Sequence, residues 1–159
     1  MAAGSKALVA SALIIAASLS LEARGNAVTV RLDITGGGLS KPLAVMDTAL
    51  LDLSNVYAGT FLGPVTNPID PTWQRFVVSF AVESRTPYPA LELSGVQRTY
   101  VVHYARDPGT DEGFVYLPGR GEAGHRLNIG LIIREEHDGR WHKAAPHWAE
   151  LLNRHLPRG

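Results

Sequence analysis

Six histidines, His103, His125, His137, His142, His147 and His155, fall in the last third of a 159-residue chain or just before it. A two-residue turn at Asp138-Gly139, a pair that tolerates the positive φ angles of a tight hairpin, sets His137 across from Arg140 and Glu135 across from His142. All four side chains then project from one strand face. Glu135, His137 and His142 make a candidate two-histidine, one-carboxylate metal site, since two imidazoles and a carboxylate suit a divalent transition metal. Arg140 opposes it by placing a positive charge beside the cation. Opposite charges at a hairpin tip are also ordinary surface chemistry, and that reading weighs more.

A second constellation runs Pro118-Gly119-Arg120-Gly121-Glu122-Ala123-Gly124-His125-Arg126. Glycine-rich backbone beside Arg120, His125 and Arg126 can cradle an anion. It is no nucleotide loop, because it lacks Gly-Lys-Ser/Thr and leads into an expected strand. A charged, soluble connection between strands is the plainer reading. Gly36-Gly37-Gly38 is read as a turn, and Pro42 blocks the helix that a dinucleotide loop would need.

Other chemistries lack their parts. Leu93-Ser94-Gly95 is without the first glycine of a nucleophile elbow, and His-Glu-x-x-His does not occur. Glu135 and Glu136 are adjacent on an expected strand, so they face opposite ways and form no carboxylate dyad. There is no cysteine, which removes disulfides, thiolate nucleophiles, zinc fingers and iron–sulfur clusters. No cofactor is expected. Seven aromatics, Trp73, Tyr88, Tyr100, Tyr104, Tyr116, Trp141 and Trp148, can line a carbohydrate or peptide groove, or pack as core and cross-strand partners.

The elements that would position these groups are mostly strands. Residues 28–34 alternate Val28, Val30, Leu32 and Ile34 with Thr29, Arg31 and Asp33, which predicts a half-buried strand. Asp47 is placed to cap a short helix over residues 47–53. Three prolines make residues 63–71 a loop. Residues 73–83 alternate again. Residues 96–105 and 113–117 form a hairpin about Asp107-Pro108-Gly109-Thr110, and residues 126–136 a further strand. Pro146 opens a C-terminal helix with Trp148, Leu151, Leu152 and His155 on or near one stripe. The expected fold is α+β and mainly β: an antiparallel sheet with one short helix near residues 47–53 and one C-terminal helix over a sheet face.

Ahead of this domain, Lys6 precedes 15 uncharged residues, 7–21, and then Glu22-Ala23-Arg24-Gly25-Asn26-Ala27. That order is the order of an export signal, and the apolar run falls short of the roughly 20 residues of a spanning helix. Residues 1–27 are expected to be a signal peptide and residues 28–159 one domain, periplasmic or extracellular, with no stable membrane span after processing. The leader holds Lys6, Arg24 and Glu22, which leaves 13 basic and 14 acidic residues among 28–159. Such a balance gives no general attraction to nucleic acid, so the expected partner is a ligand or another protein.

The stretches Thr35-Gly36-Gly37-Gly38-Leu39-Ser40-Lys41-Pro42, Asn55-Val56-Tyr57-Ala58-Gly59-Thr60-Phe61-Leu62 and Val115-Tyr116-Leu117-Pro118-Gly119 look like segments of uncharacterised exported bacterial proteins. The resemblance implies one unit over residues 28–159 and brings no activity, cofactor or site residue with it. The leading functional expectation is an exported, non-enzymatic ligand- or protein-binding module. The alternatives are a small extracytoplasmic hydrolase, with His103 and the Glu135/His137/His142 group as first suspects, and an envelope structural protein that self-associates through a sheet edge. N-terminal sequencing of the exported protein should begin near Asn26 or Val28; a product beginning at Met1 or Ala2 is incompatible with cleavage.

Overall fold

The computed structural model describes residues 27–54, 60–67, 69–84, 98–128 and 137–158. Their strands form one seven-stranded antiparallel sheet: β1 Ala27–Gly36, β2 Leu43–Val45, β3 Phe61–Pro64, β4 Arg75–Ser84, β5 Arg98–Arg106, β6 Gly113–Leu117 and β7 Arg140–Ala144. Across the sheet the order is β2-β1-β4-β5-β6-β7-β3. Three short helices complete it: α1 Thr48–Leu53, α2 His125–Asn128 and α3 Pro146–Asn153. This is the α+β, mainly β architecture that the alternation predicts, with α1 and α3 in the expected places.

Period-2 alternation decides which face is buried. Leu32 and Ile34 of β1, Phe76, Val78, Phe80 and Val82 of β4, Tyr100, Val102 and Tyr104 of β5, and Val115 and Leu117 of β6 all point to one side and are buried. α1 and α3 close that side with Leu50, Trp148, Leu151 and Leu152. The ring of Phe80 stacks on Tyr100 at 4.1 Å and lies parallel to Trp148 at 6.3 Å, while Tyr104 meets Trp148 edge-on at 5.7 Å. Each buried aromatic of this size removes 150–250 Å² from water, the largest contribution any side chain makes to a core.

Local chemistry sets the helix ends. The Asp47 carboxylate accepts from the N–H groups of Ala49 and Leu50 at 2.9 and 3.3 Å, two of the donors that a helix start leaves free. Pro146 sits in the first turn of α3, where its missing donor costs nothing. At the C-terminal end of α1, Ser54 is wholly buried and serves four partners. Its hydroxyl donates to the Leu50 carbonyl and accepts from the Trp148 indole at 2.9 Å. Its carbonyl accepts from the hydroxyls of Thr29 and Tyr100.

Three local expectations are corrected. Residues 63 and 64 are not loop: they end β3, an outermost strand, where a proline's missing donor faces no neighbour. Residues 126–128 are not strand: they belong to α2, which starts after Gly124 at φ +88. There Asn128 accepts from Val101 N–H at 2.8 Å and donates to Val101 C=O at 2.7 Å. β6 ends before reaching Val101, so a side-chain amide stands in for the missing strand. The third correction concerns the turn at Asp138-Gly139. His137 is not a strand residue paired with Arg140, and the described partners of β7 are β6 and β3. Residues 129–136 lie outside the described residues.

Replacing Ser54 by Ala should destabilise the protein by roughly 1–3 kcal/mol, since the Trp148 N–H would stay buried without an acceptor. Urea denaturation of Ser54→Ala, Trp148→Phe and the double variant checks this. The double variant should cost clearly less than the two single losses added together, and strict additivity would show that the bond carries no coupling.

Candidate functional site

The core face runs on past the end of the helix layer, and there the fold leaves a cleft. Arg106 continues the inward series Tyr100, Val102, Tyr104 along β5 and pairs with Gly113 on β6. Ala144 of β7 follows one residue after the Phe114–Lys143 pair. Gly113, Ala144 and Ala149 of α3 form a floor of small side chains. A methyl group at Gly113 would overlap the Tyr104 hydroxyl and the Ala149 methyl, so only glycine lets α3 approach here. The cavity measures about 380 Å³. Thr110, Asp111 and Glu112 of the β5–β6 turn, Lys143 of β7, Pro146, Glu150, Asn153 and Arg154 of α3, and Arg158 complete its walls.

The turn wall is held by a chain of bonds. Asp107 binds Gly109 N–H at 2.7 Å and the Thr110 hydroxyl at 3.0 Å. Asp111 has φ +62, a left-handed conformation that aspartate tolerates better than most residues. Its carbonyl accepts from Asn153 Nδ2 at 2.9 Å, and Asn153 Oδ1 accepts from the Tyr104 hydroxyl at 2.7 Å. Burial pushes the Tyr104 hydroxyl pKa up, so it remains a neutral donor.

Seven charged groups surround the space. Glu112 meets Lys143 at 2.6 Å, and Glu150 meets Arg154 across one helical turn. The bond from Arg154 and a second from His147 hold the Glu150 carboxyl below its ordinary pKa. Arg106 is different: its side chain is 7% exposed, and the nearest carboxylate, Asp111, stands 3.7 Å from Nε and is 70% exposed. Its Nη2 donates to Gln74 Oε1 at 3.1 Å and to the Pro157 carbonyl at 2.7 Å.

The residues singled out from sequence lie elsewhere. Arg120 and Arg126 are exposed, and His125 meets Asp138 at 3.2 Å. The loop around them already holds an anion of its own. Glu122 accepts from Gly119 N–H at 2.8 Å and from the Tyr116 hydroxyl at 2.8 and 2.9 Å, which together hold its carboxyl below the ordinary range. Burial first, and then the Glu122 carboxylate, push the Tyr116 pKa up to about 12. Tyr116 also lies beside Trp141 at 5.3 Å and His103 at 5.8 Å on the sheet face opposite the core.

Of the expected metal set, Glu135 lies outside the described residues. His142 is fully buried, with its ring 5.1 Å from that of His137 and 4.9 Å from Phe61. Its cross-strand neighbours are Val115 and Pro64. Nε2 lies 3.1 Å from the His137 carbonyl and donates to it, and the Leu62 backbone also lies against the ring. Among the described residues, no three metal-ligating side chains converge. Of the aromatics, Tyr100, Tyr104 and Trp148 are core, Trp73, Tyr116 and Trp141 are half-buried, and Tyr88 lies outside the described residues.

Sequence reasoning passed over Arg106, though its signal was present. A charged residue in phase with Tyr100, Val102 and Tyr104 must either end the strand or bring a cation to the core's edge.

Burial lowers the pKa of both His142 and His103 below the ordinary 6.5. For His142 the bond to the His137 carbonyl opposes the shift, while the His137 and Arg140 charges add to it. For His103 the Glu122 carboxylate opposes it and Arg75 adds to it. The unfolded chain therefore takes up protons first, and the stability present above pH 6.5 is lost as pH falls through the lower folded values. The urea midpoint should drop between about pH 7 and about pH 5, and less steeply in His142→Leu and His103→Gln. A midpoint unchanged over that range, or a full slope kept in both variants, contradicts the assignment. No family model, curated protein or solved structure matches this chain.

Proposed function

We propose that residues 28–159 are an exported, non-catalytic binding module and that the cleft beside α3 is its ligand site. One observation carries this: the cleft has a place for a ligand and, among the described residues that line it, nothing poised to attack one. Each of its carboxylates faces a cation, Glu112 with Lys143, Glu150 with Arg154 and Asp111 with Arg106. The Glu150 carboxyl, held below its ordinary pKa by Arg154 and then His147, is a poor general base at neutral pH. Thr110, the one hydroxyl among the described lining residues, donates to Asp107 and accepts from Glu112 N–H, and so stays bound within its own turn. The cleft sets small apolar residues, Gly113, Ala144, Pro146 and Ala149, among nine polar or charged ones, and a concavity with convergent polar groups suits a small molecule. Export is supported by the order of Lys6, the uncharged run and the small residues that follow.

Obstructing the cleft should abolish binding while leaving the fold. Glu150→Trp and Arg154→Trp each cover the mouth from an exposed position on α3 or its C-cap. Ligand-observed NMR with a panel of small acids, amines and neutral amides should find binders of the full protein that both variants lose, with unchanged circular dichroism. A panel with no binder, or binders indifferent to both substitutions, rejects the cleft as the site.

A further inference from the structure

We infer that the ligand of this cleft is a small organic anion, an apolar body carrying one carboxylate, with its charge on Arg106. The inference rests on the binding reading above and adds the chemical class.

Charge is the first ground. Four cationic side chains, Arg106, Lys143, Arg154 and Arg158, line the cavity beside three carboxylates, Asp111, Glu112 and Glu150. Two of the carboxylates lie close against Lys143 and Arg154, and the third is the solvent-facing Asp111. Arg158 makes no ion pair among the described residues. One positive charge is therefore left over.

Burial is the second. A guanidinium taken out of water is costly unless a charge and hydrogen bonds replace its hydration. Both bonds of Arg106 are made by Nη2, to Gln74 and to the Pro157 carbonyl. Nη1 donates to nothing among the described residues, and Arg106 is one of the residues lining the cavity. A carboxylate on Nη1 would give the buried cation the close partner that Asp111, at 3.7 Å, does not supply. Pro146, at the positive end of the α3 dipole, lines the same space.

The floor is the third. Gly113, Ala144 and Ala149 offer carbon surface and no donor from a side chain, so the rest of the ligand is apolar.

Calorimetry with benzoate, benzamide and benzylamine separates charge from shape, since the three differ mainly in one substituent. The purified protein should bind benzoate about tenfold or more tightly over both others, with affinity falling as salt rises. Arg106→Lys should lose most of that preference, because a lysine does not reproduce the planar fork. Because that change also removes the bond to Pro157, Arg158→Ala at the exposed rim serves beside it and should weaken benzoate but not benzamide. Equal binding of benzoate and benzamide, or a preference for benzylamine, overturns the anion assignment and leaves the cleft reading standing. No binding of any of the three, where the wider panel has binders, also overturns the assignment. A panel without binders overturns both.

Discussion

The indole N–H of Trp148 lies in a dry core, and a donor there must find an acceptor. Ser54 provides it, and much of the molecule follows from that bond. The serine is the last residue of the α1 unit, so meeting the indole fixes α1 against α3. The Ser54 carbonyl takes hydroxyls from Thr29 on β1 and Tyr100 on β5, strands with β4 between them. One buried polar residue thus joins both covering helices to the middle of the sheet. A core of leucine and valine alone would tolerate α3 sliding by part of a turn. A directional bond with a mode near 2.9 Å does not. Since α3 is one wall of the cleft, the cleft's shape is a consequence of this choice.

The cleft lies where α3 meets the edge of the sheet. Eight helical residues include Trp148, which packs on Phe80 and Tyr104, and Ala149, which closes on Gly113 in the row Arg106, Gly113 and Ala144. An apolar side chain at residue 106 would extend the core there. Arginine instead places a cation on the boundary, where Gln74 and the Pro157 carbonyl meet Nη2 and Asp111 stands 3.7 Å from Nε. Gln74 in turn donates to the Gly37 carbonyl, so the glycine turn after β1 is tied to the same guanidinium. The buried charge is compensated on its structural side, and the residue that carries it lines the cleft.

The strands with clean period-2 alternation were legible whatever the distance to their partners, β1 pairing with β4 nearly 50 residues away. Alternation gave the inward residues of β1, β4 and β5, Asp47 announced α1, and Pro146 announced α3. What failed was the choice of partner for β7. β7 pairs with β6 and β3, more than 20 and nearly 80 residues away, and no local turn signal carries that choice. Asp138-Gly139 reads as a hairpin because two-residue hairpins are what such pairs usually make. Here Gly139 takes its positive φ for a different task, placing its N–H on the Leu117 carbonyl at 2.8 Å. The same long-range logic hid the candidate site. Its walls come from residues 106–113, 143–154 and 158, and no window of the sequence shows them together. Glu122 illustrates the opposite error: a glycine-rich loop with basic neighbours suggests an external anion, but the loop carries a carboxylate of its own three residues after Gly119.

The segment after α3 explains how Arg158 comes to stand at the cleft. It is fastened from both sides. His155 meets Asp47 at 3.3 Å, so the carboxylate that caps α1 also holds the tail, and that imidazole helps keep the Asp47 carboxyl below its usual pKa. Two residues later the Pro157 carbonyl accepts from Arg106. Between these points Leu156 is buried against the core. The tail is therefore part of the fold, and its direction past Pro157 carries Arg158 to the rim. Arg106 thus both lines the cleft and holds the Pro157 carbonyl, so one side chain sets the position of the C-terminal segment and of the wall that Arg158 adds.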